Sequence, residues 1–170
     1  DFLHLAAKDE LEDRLSVVNK TFTSPLIVSG FPEIWADFLP QAKVIEDTEF
    51  LDVPAESYDL AIHALALHWA NDPVGQLIQC RRAMKPDGLF LAVLFGGQTL
   101  NELRSSLAQA EASVTGGLSP RVAPMAEIRE LGGLLQRARF TLPVADSVPF
   151  HVTYESAFDL MKDLRAMGET

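Results

Sequence analysis

The chain has 170 residues, of which 48% are hydrophobic and 22% charged, a composition typical of a globular protein with a substantial core. Its 24 acidic and 14 basic residues give a formal net charge of -10, which disfavours binding to nucleic acid. A single cysteine, Cys80, excludes an internal disulfide framework, and no apolar run approaches the ~20 residues of a membrane span. We therefore expect one domain over residues 1–170, in a reducing, cytoplasmic compartment.

The first third of the chain predicts two helices and two short strands. Apolar residues recur at helical spacing over 3–19 and again over 32–39, where a proline opens the helix. Buried strands are predicted at 26–28, ending at Ser29-Gly30, and at 43–46, ending at Asp47.

The segment 57–95 predicts a βαβ unit. An apolar strand at 58–65 is followed by a helix that begins at Asp72-Pro73, an acidic N-cap with proline at the first helical position. The sequence KPDG at 85–88 predicts the turn that ends this helix, and a strand apolar on both faces follows at 88–95.

The remaining chain predicts three helices, at 98–113, 125–139 and 156–167. The loop at 116–124 is either a lid over the strand ends or a plain connection. Residues 142–154 have the pattern of a strand, although Pro149 predicts an edge, a bulge or a break there.

This alternation predicts a Rossmann-like α/β fold, a doubly wound and mostly parallel sheet with helices on both faces. In such sheets ligands bind in the crevice outside the carboxyl ends of the strands. Four stretches fall at that edge, namely 29–30, 47–48, 63–69 and 96–97, so a site is expected among them.

Two long strings resemble a known superfamily. The strings are DxxxxxLALHWxNDP from Asp59 and RRxxKPDGLFLAxLFGGxTLxELR from Arg81. They resemble class I S-adenosylmethionine-dependent methyltransferases of the methyltransferase type 11 kind. The branch they are most similar to contains the biotin-synthesis malonyl-acyl-carrier-protein methyltransferase and the methyltransferase-like assembly factors of respiratory complex I. The stretches GGLSPRVAPMAEIRELGGLLQRARF and YESAFDLMKDLRAMGE favour the assembly factors, and the resemblance covers roughly 44–170.

The resemblance implies S-adenosylmethionine as cofactor and assigns residues to it. Asp47 takes the place of the acidic residue that receives the adenine amino group, and 63–65 pass under the methionine moiety. His68 would be a candidate catalytic base at the mouth of the substrate pocket. The implied cofactor-binding residues are Ser29, Gly30, Asp47, Thr48, His63, Ala64 and Leu65, and the implied substrate-pocket residues are His68, Trp69, Gly96 and Gly97.

The beginning of the chain departs from the family pattern. The first strand of the family ends in an acidic residue and a Gly-x-Gly loop, whereas the segment LIVSGFP has only Gly30 and no carboxylate. The interval from Gly30 to Asp47 has room for one helix and one short strand, so one βα unit and its ribose-binding carboxylate are missing. Glu46 would substitute only if the strand 43–46 took the missing strand's place, which the following sequence disfavours. The family's final strand is also expected to be absent.

Each candidate residue also has an ordinary structural interpretation. Gly30 fits a plain turn, and Asp47 could cap the next turn. A packed Trp69 beside a surface-facing His68 is as consistent with the sequence as a pocket. His63 fits a hydrogen-bonded core residue, and Asp59 fits a residue that ties the start of its strand to a neighbour. His4 and His151 have no companions at metal-ligand spacing, so no metal site is predicted.

Two functions follow from these observations. The first is a methyltransferase-like protein that acts on a small-molecule or acyl-carrier-type acceptor, with cofactor binding weakened or lost. The alternative is a non-catalytic member of the fold, a pseudoenzyme that serves as an assembly or binding protein for a protein partner. The oligomeric state is not predicted, and a hydroxylation role follows only from the assembly-factor resemblance.

Overall fold

The computed structural model describes residues 2–169, in which helices and strands alternate. The strands are β1 (Pro25–Ser29), β2 (Lys43–Glu46), β3 (Tyr58–Ala64) and β4 (Met84–Val93). The helices are α1 (Phe2–Ser16), α2 (Pro32–Trp35), α3 (Pro73–Ala83), α4 (Asn101–Thr115), α5 (Ile128–Arg137) and α6 (Ala157–Ala166), and a 3-10 turn spans Leu67–Trp69.

The four strands form one parallel sheet in the order β2-β1-β3-β4. Ser29 pairs with Glu46 on one side and with Ala64 on the other, and Ala64 pairs in turn with Val93. The carboxyl ends of all four strands therefore lie at one edge of the sheet. This arrangement confirms the predicted Rossmann-like class.

Helices cover both faces of the sheet, because successive strand residues point to opposite sides. Ile27, Leu60 and Ile62 pack in one buried cluster with residues of α1 and α2. Leu26, Val28 and Ala61 lie in a second cluster that includes Cys80 of α3. Burial raises the pKa of the Cys80 thiol to about 12, consistent with its predicted role as a small core residue. By contrast, α4, α5 and α6 contain no buried residue.

Two carboxylates fix local structure as the sequence predicts. Asp72 caps α3 by accepting a hydrogen bond of 2.8 Å from the backbone N–H of Gly75. Asp59 accepts bonds from the backbone and hydroxyl of Thr23, both 2.8 Å, and from the backbone N–H of Ser24 at 2.9 Å. Asp59 thus ties β3 to the segment that leads into β1.

The KPDG segment is not a separate turn but a bulge within β4. Tyr58 pairs with Met84 and Leu60 pairs with Leu89, so residues 85–88 loop out opposite Asp59. Asp87 lies in the left-handed region with φ of 60°. The predicted strand start at Gly88 is therefore wrong, because Met84 already pairs with β3.

The strand predicted over 142–154 is also wrong. These residues are irregular, and Leu142 and Val144 are 93% and 82% exposed. Pro143 and Pro149 lack the N–H that a strand needs for pairing. The second predicted helix is also shorter than expected, since α2 ends at Trp35.

The shortened interval between β1 and the loop before β3 holds only α2 and β2, as predicted. However, β2 pairs directly with β1 in the register Leu26 to Lys43. The strand 43–46 therefore lies directly beside β1, in the place of the missing strand, which the sequence disfavoured. Glu46 is exposed at its end.

Candidate functional site

A crevice of about 150 Å³ opens at the carboxyl edge of the sheet. Its walls come from the ends of β1, β2 and β3, from the 3-10 turn and from the segment after α6. The lining residues are Gly30, Phe31, Asp47, Leu65, Ala66, Trp69, Met167, Gly168 and Glu169.

Gly30 and Asp47 approach each other closely on one wall of this crevice. A Cβ atom at Gly30 would lie 3.3 Å from Oδ1 of Asp47, so a side chain there would crowd the carboxylate. Burial is the main cause that raises the pKa of Asp47, with a further contribution from Glu46, whereas His68 opposes the shift. Asp47 is thus a half-buried carboxylate that lines the crevice beside Gly30.

Another part of the crevice is formed where the chain leaves β3. Leu65 has φ of 50°, a left-handed conformation that costs a leucine about 1–2 kcal/mol, and its N–H donates to the carbonyl of Val93 at 2.9 Å. Such strain is concentrated at functional sites. It redirects the backbone from the sheet edge into the turn that carries His68 and Trp69.

His68 and Trp69 bond to the same carboxylate oxygen. Oε1 of Glu169 lies 2.9 Å from Nε2 of His68 and 3.2 Å from Nε1 of Trp69. Because a carboxylate accepts and does not donate, Nε2 of His68 is the donor in this contact. The His68 side chain is 9% exposed and packs edge-on against Phe95, with ring centroids 5.0 Å apart. Trp69, in contrast, is 53% exposed. The alternative interpretation of a packed tryptophan beside a surface-facing histidine is therefore wrong.

His63 lies deeper in the same region, on the sheet face covered by α3. It is 1% exposed, and neither ring nitrogen has a hydrogen-bond partner within residues 2–169. The pKa of His63 is lowered to about 4, mainly by burial and in small part by nearby His68, while Gln76 opposes the shift. Although Gln76 faces His63, its Oε1 also has no partner. The core position is as predicted, but the predicted hydrogen bond is absent.

Several predicted site residues do not line the crevice, namely Ser29, Thr48, His63, Ala64, His68, Gly96 and Gly97. Ser29 and Ala64 are fully buried behind it, and the Ser29 hydroxyl accepts a 3.2 Å bond from the N–H of Phe31. The carbonyl of Thr48 accepts a 2.6 Å bond from Gln76. Gly96 and Gly97 instead contact the segment before α5, where the Gly97 N–H donates to the Ala126 carbonyl at 3.0 Å.

Sequence reasoning missed the part of the crevice contributed by distant segments. Met167, Gly168 and Glu169 close one side, and Gly168 uses a φ of 78° to reach it. No local pattern identifies these residues, because their contacts span about a hundred positions. The loop 116–124 contacts Glu111 of α4 through Ser119 and Arg121 rather than lining the crevice.

Residues 2–169 contain no group of three or more His, Cys, Asp or Glu side chains that could hold a metal ion. No helix in this part of the chain is long and apolar enough to cross a membrane.

Solved structures with similar architecture are S-adenosylmethionine-dependent methyltransferases. A crystal structure of such an enzyme from Thermotoga maritima aligns with a TM-score of 0.51 and 15% identity, covering 81% of this chain and 72% of that chain. A putative methyltransferase of Haloferax volcanii, in complex with the activator Trm112, gives a TM-score of 0.53 at 13% identity, covering 81% and 72%. The fold is thus that of the Rossmann-like methyltransferases.

The sequence comparisons agree with the fold. A methyltransferase domain family matches residues 29–92. The rat protein named arginine-hydroxylase NDUFAF5, mitochondrial, is 42% identical over 90% of this chain and 45% of its own length. A malonyl-[acyl-carrier protein] O-methyltransferase of Xylella fastidiosa is 37% identical over 77% of this chain and 42% of its own length. The putative methyltransferase RP459 of Rickettsia prowazekii is 31% identical over 88% of this chain and 63% of its own length.

The chain belongs to the class I S-adenosylmethionine-dependent methyltransferase superfamily. It spans about half the length of the curated relatives it matches first.

Proposed function

We propose that this protein is a methyltransferase-like protein that acts on a small-molecule or carrier-protein acceptor and binds S-adenosylmethionine weakly. The observation that carries this proposal is the crevice at the carboxyl edge, where the Asp47 carboxylate faces Gly30 across a narrow gap. The relative from Xylella fastidiosa, whose name specifies a malonyl-acyl-carrier-protein acceptor, supports the choice of acceptor class. When bound, the cofactor would supply an activated methyl group, and the protein would position the acceptor in line with it.

The residues present fit one part of the cofactor better than the rest. The Asp47 carboxylate accepts hydrogen bonds, so it suits the adenine amino group, and Leu65 and Ala66 supply apolar surface for a ring. The crevice volume of about 150 Å³ is half of the roughly 300 Å³ at the low end for drug-sized ligands. Binding of the whole cofactor therefore requires residues 167–169 to move, and this requirement lowers the affinity.

Calorimetric titration with S-adenosylmethionine and S-adenosylhomocysteine tests this proposal. We expect saturable binding, a rise in melting temperature with ligand concentration, and an affinity about tenfold lower in D47N. Asp52 is exposed and outside the crevice, so D52N serves as the matched control and should bind like the unsubstituted protein. No heat and no thermal shift at millimolar cofactor would contradict the proposal.

A second candidate is a non-catalytic binding or assembly protein that acts on a protein partner. It is favoured by the packing of Met167, 8% exposed, and Glu169 into the crevice, and by the single glycine in the loop after β1. The name of the similar rat protein refers to arginine hydroxylation and to mitochondria, so a cytoplasmic location remains a prediction for this chain. Formation of a methylated product from labelled cofactor would exclude this candidate.

A further inference from the structure

The turn Leu67–Trp69 presents two hydrogen-bond donors to Glu169, which lines the crevice. Nε2 of His68 and Nε1 of Trp69 both bond to Oε1 of Glu169. Hydrogen bonds to a charged acceptor are stronger than those between neutral groups, so a carboxylate oxygen is a favourable ligand for these two converging donors. The two side chains thus have the geometry of a carboxylate-binding site.

The turn itself holds these donors in place. The backbone N–H of Trp69 donates to the Ala66 carbonyl at 3.0 Å, and the backbone N–H of Ala70 donates to the Leu67 carbonyl at 3.3 Å. The His68 ring packs against Phe95 at the end of the sheet. Because these contacts do not involve Glu169, the backbone of the turn and the His68 ring are held without it.

Glu169, by contrast, is held by a small set of contacts: its side chain is 11% exposed, and Met167, two residues earlier, is 8% exposed. No residue of α6 is buried, and only Met167 and the following two residues reach the crevice. Gly168 allows the chain to turn there, since a Cβ atom at this position would meet only the edge of the Phe31 ring at 3.9 Å. Displacing Glu169 therefore breaks its two hydrogen bonds and the packing of Met167, without unpacking a buried residue of α6.

We propose that His68 and Trp69 form a carboxylate-binding subsite, that Glu169 occupies it as an internal ligand, and that the carboxylate of a bound molecule replaces Glu169. The inference rests on the proposed function for the location of the site and specifies the ligand chemistry. Two molecules could supply the carboxylate, namely the acceptor and the amino-acid portion of the cofactor.

The first test uses malonate, with uncharged malonamide as the matched control ligand. In E169Q the internal acceptor is neutral, so we expect malonate to bind about tenfold more tightly than to the unsubstituted protein. E155Q removes a charge from an exposed position outside the crevice and should leave the affinity unchanged. Malonamide should bind to none of these proteins. Equal malonate affinity in E169Q and the unsubstituted protein would overturn the proposal.

A second measurement locates the bound malonate without depending on enzymatic activity. The protein has two tryptophans, and only Trp69 lies in the crevice, so its indole N–H resonance should shift on malonate addition while that of Trp35 stays fixed. Because Trp69 is largely exposed, W69F should fold, and W69F in the E169Q background should lose the tenfold gain. An unshifted Trp69 resonance at saturating malonate would also overturn the proposal.

The source of the carboxylate is decided by comparing S-adenosylhomocysteine with 5'-methylthioadenosine, which lacks the amino-acid portion. If E169Q strengthens the binding of S-adenosylhomocysteine alone, and this ligand competes with malonate, the subsite binds the cofactor. If each nucleoside binds at the same time as malonate, without competition, the subsite binds the acceptor. Nucleoside binding without any malonate response would refute the subsite and leave the proposed function standing. A malonate response without nucleoside binding would refute the proposed function and leave the carboxylate subsite standing.

Discussion

The buried His63 should make the stability of this protein fall as the pH falls below 7. Its ring is 1% exposed, and neither nitrogen has a hydrogen-bond partner among residues 2–169. Its pKa is lowered from 6.5 to about 4, so the unfolded chain binds a proton in the range where the folded chain does not. The stability contribution of this residue is therefore fully present above pH 7 and is lost as the pH falls toward 4.

The magnitude follows from the pKa difference. Each unit of pKa difference corresponds to about 1.4 kcal/mol, so the full effect below pH 4 is about 3 kcal/mol. At pH 5.5, which remains above the isoelectric point of 4.7, about 1 kcal/mol should already be lost relative to pH 7.5. H63L removes the titrating group and both unpartnered nitrogens, and a leucine fills a similar volume.

Urea denaturation followed by tryptophan fluorescence measures this effect directly. Between pH 7.5 and 5.5 the unsubstituted protein should lose about 1 kcal/mol of unfolding free energy relative to H63L. His151 is exposed, so H151Q should follow the unsubstituted protein at both pH values. Parallel pH dependence of H63L and the unsubstituted protein would refute the reasoning, because it would mean that His63 gains a proton or a partner in the folded state.

Three further substitutions test the contacts that hold the sheet and its helices, each by urea denaturation at pH 7.5. W35F removes the 3.1 Å bond from Nε1 to Nδ1 of His4 in the core and should cost about 1–3 kcal/mol, with an unchanged fold by circular dichroism. D59A removes a charged acceptor of three hydrogen bonds and should cost about 2 kcal/mol, whereas the exposed D52A should cost less than about 0.5 kcal/mol. D72A removes the cap of α3 and should cost about 1 kcal/mol, and D72N should recover most of it; equal stability of D72A and D72N would contradict the capping role.

The parts of the fold predicted correctly are those set by local patterns. The burial of β3 and the capping of α3 at Asp72 each depend on residues close together in sequence. The strand expected over 142–154 fails because strand formation requires a partner, and alternating apolar residues do not show whether one is present.

The same distinction applies to the site. The strand ends at Gly30, Asp47 and Leu65 were identified because parallel topology places carboxyl ends at one edge. The burial of His68 and the exposure of Trp69 were not identified from the sequence, since they depend on contacts with Phe95 and Glu169. Contacts between residues so far apart in sequence are decided by tertiary packing and leave no periodic signal.

The pairing of β2 with β1 gives a physical reason for the weak cofactor binding that we propose. In this superfamily, as the sequence resemblance implies, two carboxylates from two different strands hold the adenine and the ribose. Here a single short strand supplies both Glu46 and Asp47, and neighbouring residues of an extended chain point to opposite sides. Only Asp47 lines the crevice, while Glu46 is exposed. Removal of the Glu169 charge would therefore free the donors of His68 and Trp69 without supplying an acceptor for ribose. A nucleoside that lacks a carboxylate should accordingly remain a weak ligand in E169Q.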